Sequence, residues 1–458
     1  MGDLVENLFV LAIHGRGRYH HAVELAAAGD RAVVVALGDA TADELHAAAA
    51  RVREVAGVVA VIPGHSSLYV IGGARDAIRE ALQSPQAAHD ATAATRRVRV
   101  SFDGQDLDEF LARTSQARAS FLARVDGLQL RARYLGFRAG FAYLDGWPAE
   151  WAMPRRPTSR PVPRGSFAIG GAVAGFYPID TPGGWNLLGR TDAELAHAIA
   201  PGDVLVIEVS DEPLAPPPLP KPPRLALDDA EILAAPLATL VTPHPDWSRV
   251  LRGTAPGGAF DRQAAELANA AVGNDANAPL LECAMSGPRL RFIRERVVAF
   301  CGPRLDVRVQ RVRAGEELAI GRIEGGLRGY LAIGARAVHV DAPSRDDDRR
   351  IIRAMRGPHD VGLAEVACEV TPQLDRVGVR LRPLQRIAAD IPADLRSLGM
   401  QCGTVQLHPD GSLVAMGPEH PVTGGYLQPM TVLSGETWKL AQLVPGERVT
   451  LVAQPPYE

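Results

Sequence analysis

Between Pro213 and Pro223, seven of eleven residues are proline. Proline has no backbone N–H and its ring fixes φ, so this run forms neither a helix nor an inner strand. It reads as an extended, semi-rigid polyproline spacer, and it divides the chain into two halves that each need their own core. A length of 458 residues exceeds one hydrophobic core in any case. The 47% hydrophobic content is that of a folded globular chain. A net charge of −4 supplies no basic field for nucleic acid. The four cysteines, Cys283, Cys301, Cys368 and Cys402, show no Cys-x-x-Cys spacing; free thiols in a reducing cytosol, and no metal site, are expected. Met1-Gly2-Asp3 has no basic leader, and the apolar run from Leu8 to Ile13 is too short to cross a bilayer. The expected location is cytoplasmic, away from membranes.

The pattern divides the chain into an N-terminal extension (1–28), a small α/β domain (29–95), a β domain (96–212), the proline linker (213–226) and a second region (227–458). In the small domain Thr41-Ala42-Asp43-Glu44 is a capping box opening an alanine-rich helix that stops at Gly57. The order β-α-β-β-α suits a split βαβ unit. One helix is expected over Leu107 to Val125. Asp261 caps another that stops at Gly273. The remainder reads as short strands with Gly and Pro turns, giving an α+β, mainly β chain.

Two stretches carry candidate chemistry. Pro182-Gly183-Gly184-Trp185 places an indole at a tight turn, with Arg190 a few residues on. Glycine permits close backbone approach and positive φ, and arginine offers a forked anion donor. A packed β-corner explains the same residues. Arg155, Arg156, Arg160 and Arg164, spaced by prolines, fit an anion clamp and equally a solvated loop. Glu282 follows an apolar run and reads as a buried carboxylate. Gly183-Gly184-Trp185 and Gly424-Gly425-Tyr426 hint at an internal repeat.

The runs Leu135 to Leu144, Met153 to Arg156, Val162 to Ser166 and Tyr177 to Thr191 resemble subunit 1 of the allophanate-hydrolase-like family. Its members include the B component of 5-oxoprolinase and the Kip-type histidine-kinase inhibitor. Asp261, Glu266 to Asn269, Val272 to Asn274, Arg328 to Ala332, Asp375 to Gly378, Gly403 to Gln406, Thr423 to Tyr426 and Trp438 to Leu443 resemble the C component of 5-oxoprolinase. Fused pairs of this kind also resemble the carboxyltransferase portion of biotin-dependent urea carboxylase. The resemblance implies a cyclophilin-like β-barrel in each half. It also implies an enzyme component acting on a cyclic amide or urea-like small molecule, as a hydrolase or a carboxyltransferase. No cofactor is expected on this chain: ATP would be used by a 5-oxoprolinase A-type partner subunit, or carboxybiotin would arrive on a separate carrier. The alternative is a non-catalytic regulator that binds a histidine kinase. Oligomerisation stays open.

Departures from the family pattern are Ala139, Val125, Val173, Gly257, the His244-Pro245-Asp246-Trp247-Ser248-Arg249 element and Ser397-Leu398-Gly399. They suit either a retuned pocket or one relieved of chemistry. The expected catalytic donors are Arg156, Tyr143, Tyr177 and Gln406. The expected substrate contacts are Gly140, Phe141, Gly183, Gly184, Trp185, Arg190, Thr423, Gly424, Gly425 and Tyr426.

Overall fold

The computed structural model describes residues 24–84, 93–195, 197–219, 225–235, 237–343, 345, 348–359, 361–392 and 395–455. Most of the expected N-terminal extension, the polar stretch 85–92 and the end of the proline spacer lie outside the described residues. Among the described residues no helix is long and apolar enough to cross a membrane.

The first module is a four-stranded antiparallel sheet in the order Leu25–Ala27, Ala32–Ala36, Ser67–Gly72, Val58–Pro63. Strands Ala32–Ala36 and Val58–Pro63 flank Ser67–Gly72 and are joined by helix Ala42–Arg53, which is the split βαβ arrangement. That helix opens on the Thr41/Glu44 capping box, with Thr41 N–H donating to Glu44 Oε2 at 2.7 Å. Leu45, Ala48, Ala49 and Val52 bury its inner face against Val33, Val35, Val61 and Val70.

A rolled seven-stranded sheet follows. Its order is Thr95–Val100, Val204–Val209, Gln129–Leu135, Ala142–Asp145, Val173–Phe176, Ser166–Gly170, Asn186–Arg190. Its two edges meet at one bridge, where Ser101 and Arg190 exchange backbone hydrogen bonds of 2.9 Å. The helix expected over Leu107 to Val125 is two helices, Leu107–Arg113 and Arg118–Val125. Thr114 turns its hydroxyl back to Phe110 O at 2.8 Å and Ser115 takes φ 54°, which ends the first helix. The break lets Phe110 and Phe121 both enter one core with Phe102, Trp147 and Trp151.

The second half contains a five-stranded sheet, Ala238–Val241, Leu280–Ala284, Arg328–Gly334, Arg296–Cys301, Val307–Val312, with helix Arg262–Ala271 packed on it. Asp261 caps that helix through Ala264 N–H. The chain then closes a seven-stranded barrel in the order Ile351–Arg356, Arg448–Gln454, Glu365–Leu374, Gly378–Pro383, Leu413–Met416, Thr404–Leu407, Leu427–Val432.

The two seven-stranded units are topological copies. In each, the first and last strands in chain order lie side by side and pair parallel, while the other pairings are antiparallel. Each also inserts a two-stranded ribbon, whose strands are the fourth and seventh of the nine in chain order once the ribbon is included: Arg160–Val162 with Thr181–Gly183, and Leu398–Gly399 with Thr423–Gly424. The Gly-Gly-aromatic turn sits at the end of the ribbon in both halves, so the short sequence echo marks a whole-barrel repeat.

Candidate functional site

The first-half ribbon folds back over a glycine-rich hairpin, and this makes room for large rings. A Cβ on Gly170 would lie 2.6 Å from the Trp185 indole, and one on Gly183 would lie 2.4 Å from the Tyr177 hydroxyl. The Pro-Gly-Gly turn is used for this space: among its glycines and Gly424-Gly425, none takes positive φ, whereas Gly140 does at +79°. Trp185 meets Phe141 edge-on at 5.4 Å and Tyr143 at 5.6 Å. Phe141 meets Tyr177 at 5.2 Å. Tyr134, the cross-strand partner of Tyr143, stacks on it at 4.3 Å. Such edge-to-face and offset contacts fix ring orientation as well as burying area.

The arginines separate into different roles. Arg156 donates to Asp106 at 2.8 Å and to Glu109 at 2.6 Å, and Arg160 pairs with the same Asp106. Asp106 also accepts from Leu187 N–H at 2.7 Å, so this cluster ties the ribbon to helix Leu107–Arg113. Arg164 binds Asp180 and the carbonyl of Pro217. Arg190 binds Asp103 at 3.1 Å, at the bridge that joins the sheet edges. The guanidinium beside the indole belongs instead to Arg155, 5.8 Å from the Trp185 ring centre. Arg155 is exposed and makes no ion pair with a described residue. The sequence placed Arg156 and Arg190 near the turn; in the structure their side chains are committed to carboxylates, and a neighbour occupies the position by Trp185.

The second half supplies the opposite wall. Thr423 donates its hydroxyl to Leu135 O at 3.0 Å, and the contact is so close that a Cβ on Gly136 would collide with it at 1.6 Å. His65 N–H donates to Ser397 O at 2.9 Å, docking the first module on the second ribbon. Gly424 follows Thr423 and lies directly over the buried amide of Gln406; a Cβ there would meet Gln406 Nε2 at 2.5 Å. Gln406 thus backs the turn, with Met400 Sδ as its side-chain partner at 3.9 Å. Tyr426 stacks on His408 at 4.1 Å and stays 38% exposed.

Electrostatics connect the two walls. Burial pushes the Tyr143 phenol up, while Arg155 and the Ser397 hydroxyl oppose the shift and Tyr426 adds to it. Burial likewise pushes Tyr177 up to about 12 and Tyr134 upward. His65 falls to about 4 through burial first, then the charges of Arg133 and Arg396. Near neutral pH the locus therefore holds protonated phenols, a neutral imidazole and a free guanidinium. That set donates hydrogen bonds to an oxygen gaining negative charge. Among the described residues no His, Cys, Asp and Glu group is arranged to hold a metal.

The structure brings Tyr143, Phe141, Tyr177, Trp185, Gly183, Thr423, Gly424 and Gly425 to one region between the barrels, with Gly140 in the loop that meets Thr423. Sequence reasoning passed over Tyr134, His65 and His408; it named Arg155 only as one of four clamp arginines and Ser397 only as part of a departure from the family pattern. A signal existed for Tyr134, since it pairs across the hairpin with Tyr143.

Residues 23–200 match the carboxyltransferase domain, subdomains C and D, and residues 252–341 and 335–453 match its subdomains A and B. The chain is 43% identical over 94 residues to the 5-oxoprolinase B component of Haemophilus influenzae, covering 20% of this chain and 44% of that protein. It is 25% identical over 256 residues to the 5-oxoprolinase C component of Escherichia coli, covering 43% of this chain and 81% of that one. A putative urea carboxylase of Emericella nidulans is 24% identical over 293 residues, 48% of this chain and 24% of that protein. The matched stretch is thus less than half the length of the first and last of these relatives. The crystal structure of TTHA0988 superposes with a TM-score of 0.77 at 26% identity, covering 93% of this chain and 99% of that one. With both subdomain pairs present in the order C–D then A–B, the chain belongs to the carboxyltransferase-domain family as a fusion of the counterparts of the 5-oxoprolinase B and C components.

Proposed function

We propose that the aromatic cleft between the barrels binds a small planar amide or urea-like molecule, and that the chain is a carboxyltransferase-like component of an amide-hydrolysing system. One observation carries this reading: the Tyr143 phenol of the first half lies within reach of Arg155 and of Ser397 and Tyr426 of the second, with the Trp185 indole edge-on beside it at 5.6 Å. The indole offers a flat surface to the amide plane. Tyr143 and Arg155 donate to the amide oxygen as charge builds there, beside the buried rings of Phe141, Tyr177 and Trp185. Gln406 and Thr423 act behind the wall, one supporting the Gly424 turn and the other holding the barrels together. The similarity to 5-oxoprolinase components and to urea carboxylase supports partners that carry ATP or carboxybiotin chemistry, since this chain shows no phosphate loop in its sequence.

The test is turnover with each partner. The purified chain is mixed with a 5-oxoprolinase A-type subunit, ATP and 5-oxoproline, and separately with a carboxylated biotin carrier and urea. Turnover in either mixture that is lost in Tyr143→Phe supports the reading. Absence of turnover in both, or full activity in Tyr143→Phe, overturns it.

A further inference from the structure

Where three modules meet, the chain forms an open cavity of about 460 Å³, an ordinary size for a small-molecule site. Its walls come from the Asp30–Arg31 turn of the first sheet, from Trp247 and Phe260 ahead of helix Arg262–Ala271, and from the Ser434–Trp438 turn of the C-terminal barrel. It shares no residue with the aromatic cleft. The walls are fixed in place. Arg345 lies 4.1 Å over the Trp438 ring and binds Asp261 at 2.6 and 2.9 Å and Gln263 at 3.0 Å. Asp30 accepts from Ser434 N–H at 3.0 Å and from its hydroxyl at 2.6 Å, joining the first sheet to the barrel.

Among the described residues, the charges on these walls leave one cation uncommitted. Asp261 matches Arg345, Asp30 is occupied by Ser434, and Glu266 lies 3.4 Å from both Arg262 and His244. Arg31 lines the same cavity, and its side chain makes no hydrogen bond or ion pair with a described residue. An exposed arginine without a partner among the described residues therefore lines a space whose walls include two indoles. We propose that this junction cavity is a binding site for a planar aromatic or heteroaromatic carboxylate. The guanidinium takes the carboxylate through two parallel hydrogen bonds, and the ring lies against the indole walls. An occupant touches all three modules at once, so binding stabilises their docked arrangement.

The probe is 2-naphthoate, titrated calorimetrically into the full chain, with 2-naphthalenemethanol as its uncharged counterpart. The expected result is saturable binding of the carboxylate, a rise in melting temperature with its concentration, and at least roughly tenfold weaker binding of the alcohol. Arg31→Gln removes that preference; Arg31 is exposed, so the fold is retained. Trp438→Leu weakens binding by a second route, and Trp185→Phe leaves it unchanged. No saturable binding at millimolar naphthoate overturns the proposal. So does equal binding of the alcohol, an Arg31→Gln variant that binds like the parent, or loss of binding in Trp185→Phe.

Discussion

Replacing Glu282 by glutamine keeps the shape of the side chain and removes its charge from the centre of the second half. Glu282 is 3% exposed on strand Leu280–Ala284. It accepts from Phe260 N–H and from the Tyr330 hydroxyl at 2.9 Å each, and from Arg376 at 2.7 Å, with Arg328 Nε 3.3 Å away. Arg376 belongs to the barrel and Glu282 to the five-stranded sheet, so this carboxylate joins the two modules. Burial pushes its pKa up, but Arg376, Arg328 and the Phe260 N–H more than reverse that and hold it below the ordinary carboxylate range. Glutamine still accepts from Phe260 and Tyr330, but leaves the buried Arg328 with no counter-charge among the described residues and Arg376 with the exposed Glu419 alone. Breaking a buried pair in this way costs about 3–5 kcal/mol, and the carbonyls that also receive both arginines, at Ala441, Asp375 and Gly258, place the cost near the lower end. A domain's total stability is roughly 5–15 kcal/mol, so the loss is large. Urea unfolding followed by circular dichroism measures it. Because the folded pKa is depressed, the wild-type contribution is present above the unfolded carboxylate value and disappears as pH falls through the folded one; Glu282→Gln lacks that acid-side loss. A destabilisation below about 1 kcal/mol at neutral pH, the level of an exposed pair, refutes the reasoning.

Three further perturbations follow from the geometry. Tyr143→Phe removes one donor from the cleft and is expected to lower kcat by roughly 10²–10³-fold, as for a single oxyanion donor, with an unchanged melting temperature. Gly170→Ala puts a methyl 2.6 Å from the Trp185 indole; overpacking of this kind costs about 1–3 kcal/mol, and calorimetric unfolding together with the shifted emission of the displaced indole reports it. His65 and His420 are both held near pKa 4 by burial, so each is neutral when folded and takes up a proton on unfolding below about pH 6.5. Stability therefore falls as pH drops from about 6.5 towards 4, and a His65→Asn, His420→Asn double variant shows a shallower slope in pH-dependent urea titrations.

The capping box at Thr41, the cap at Asp261 and the split βαβ order are local events written in a few consecutive residues, and they were legible for that reason. The aromatic half of the cleft was also legible, because Trp185, Tyr143 and Tyr177 sit in glycine-rich motifs. The barrel repeat was visible only as two Gly-Gly-aromatic turns, because strands of two to ten residues pair with distant partners and carry little period of their own. Choosing between Arg155 and Arg156 depends on Asp106, fifty residues earlier, which takes Arg156; nothing adjacent in sequence marks that partner. Ser397 and His65 reach the cleft only through docking of separate modules. The long helix expected over Leu107 to Val125 failed where the Thr114 hydroxyl competes for the Phe110 carbonyl and both phenylalanines must face one core.

A crystal structure of the chain soaked with 5-oxoproline, and separately with urea, tests the central claim directly. The account predicts ligand density against the Trp185 indole, its oxygen within hydrogen-bond reach of Tyr143 or Arg155 and its far side against Gly424 to Tyr426. Density at another surface, or barrels pressed together with no room between Trp185 and the second ribbon, contradicts it.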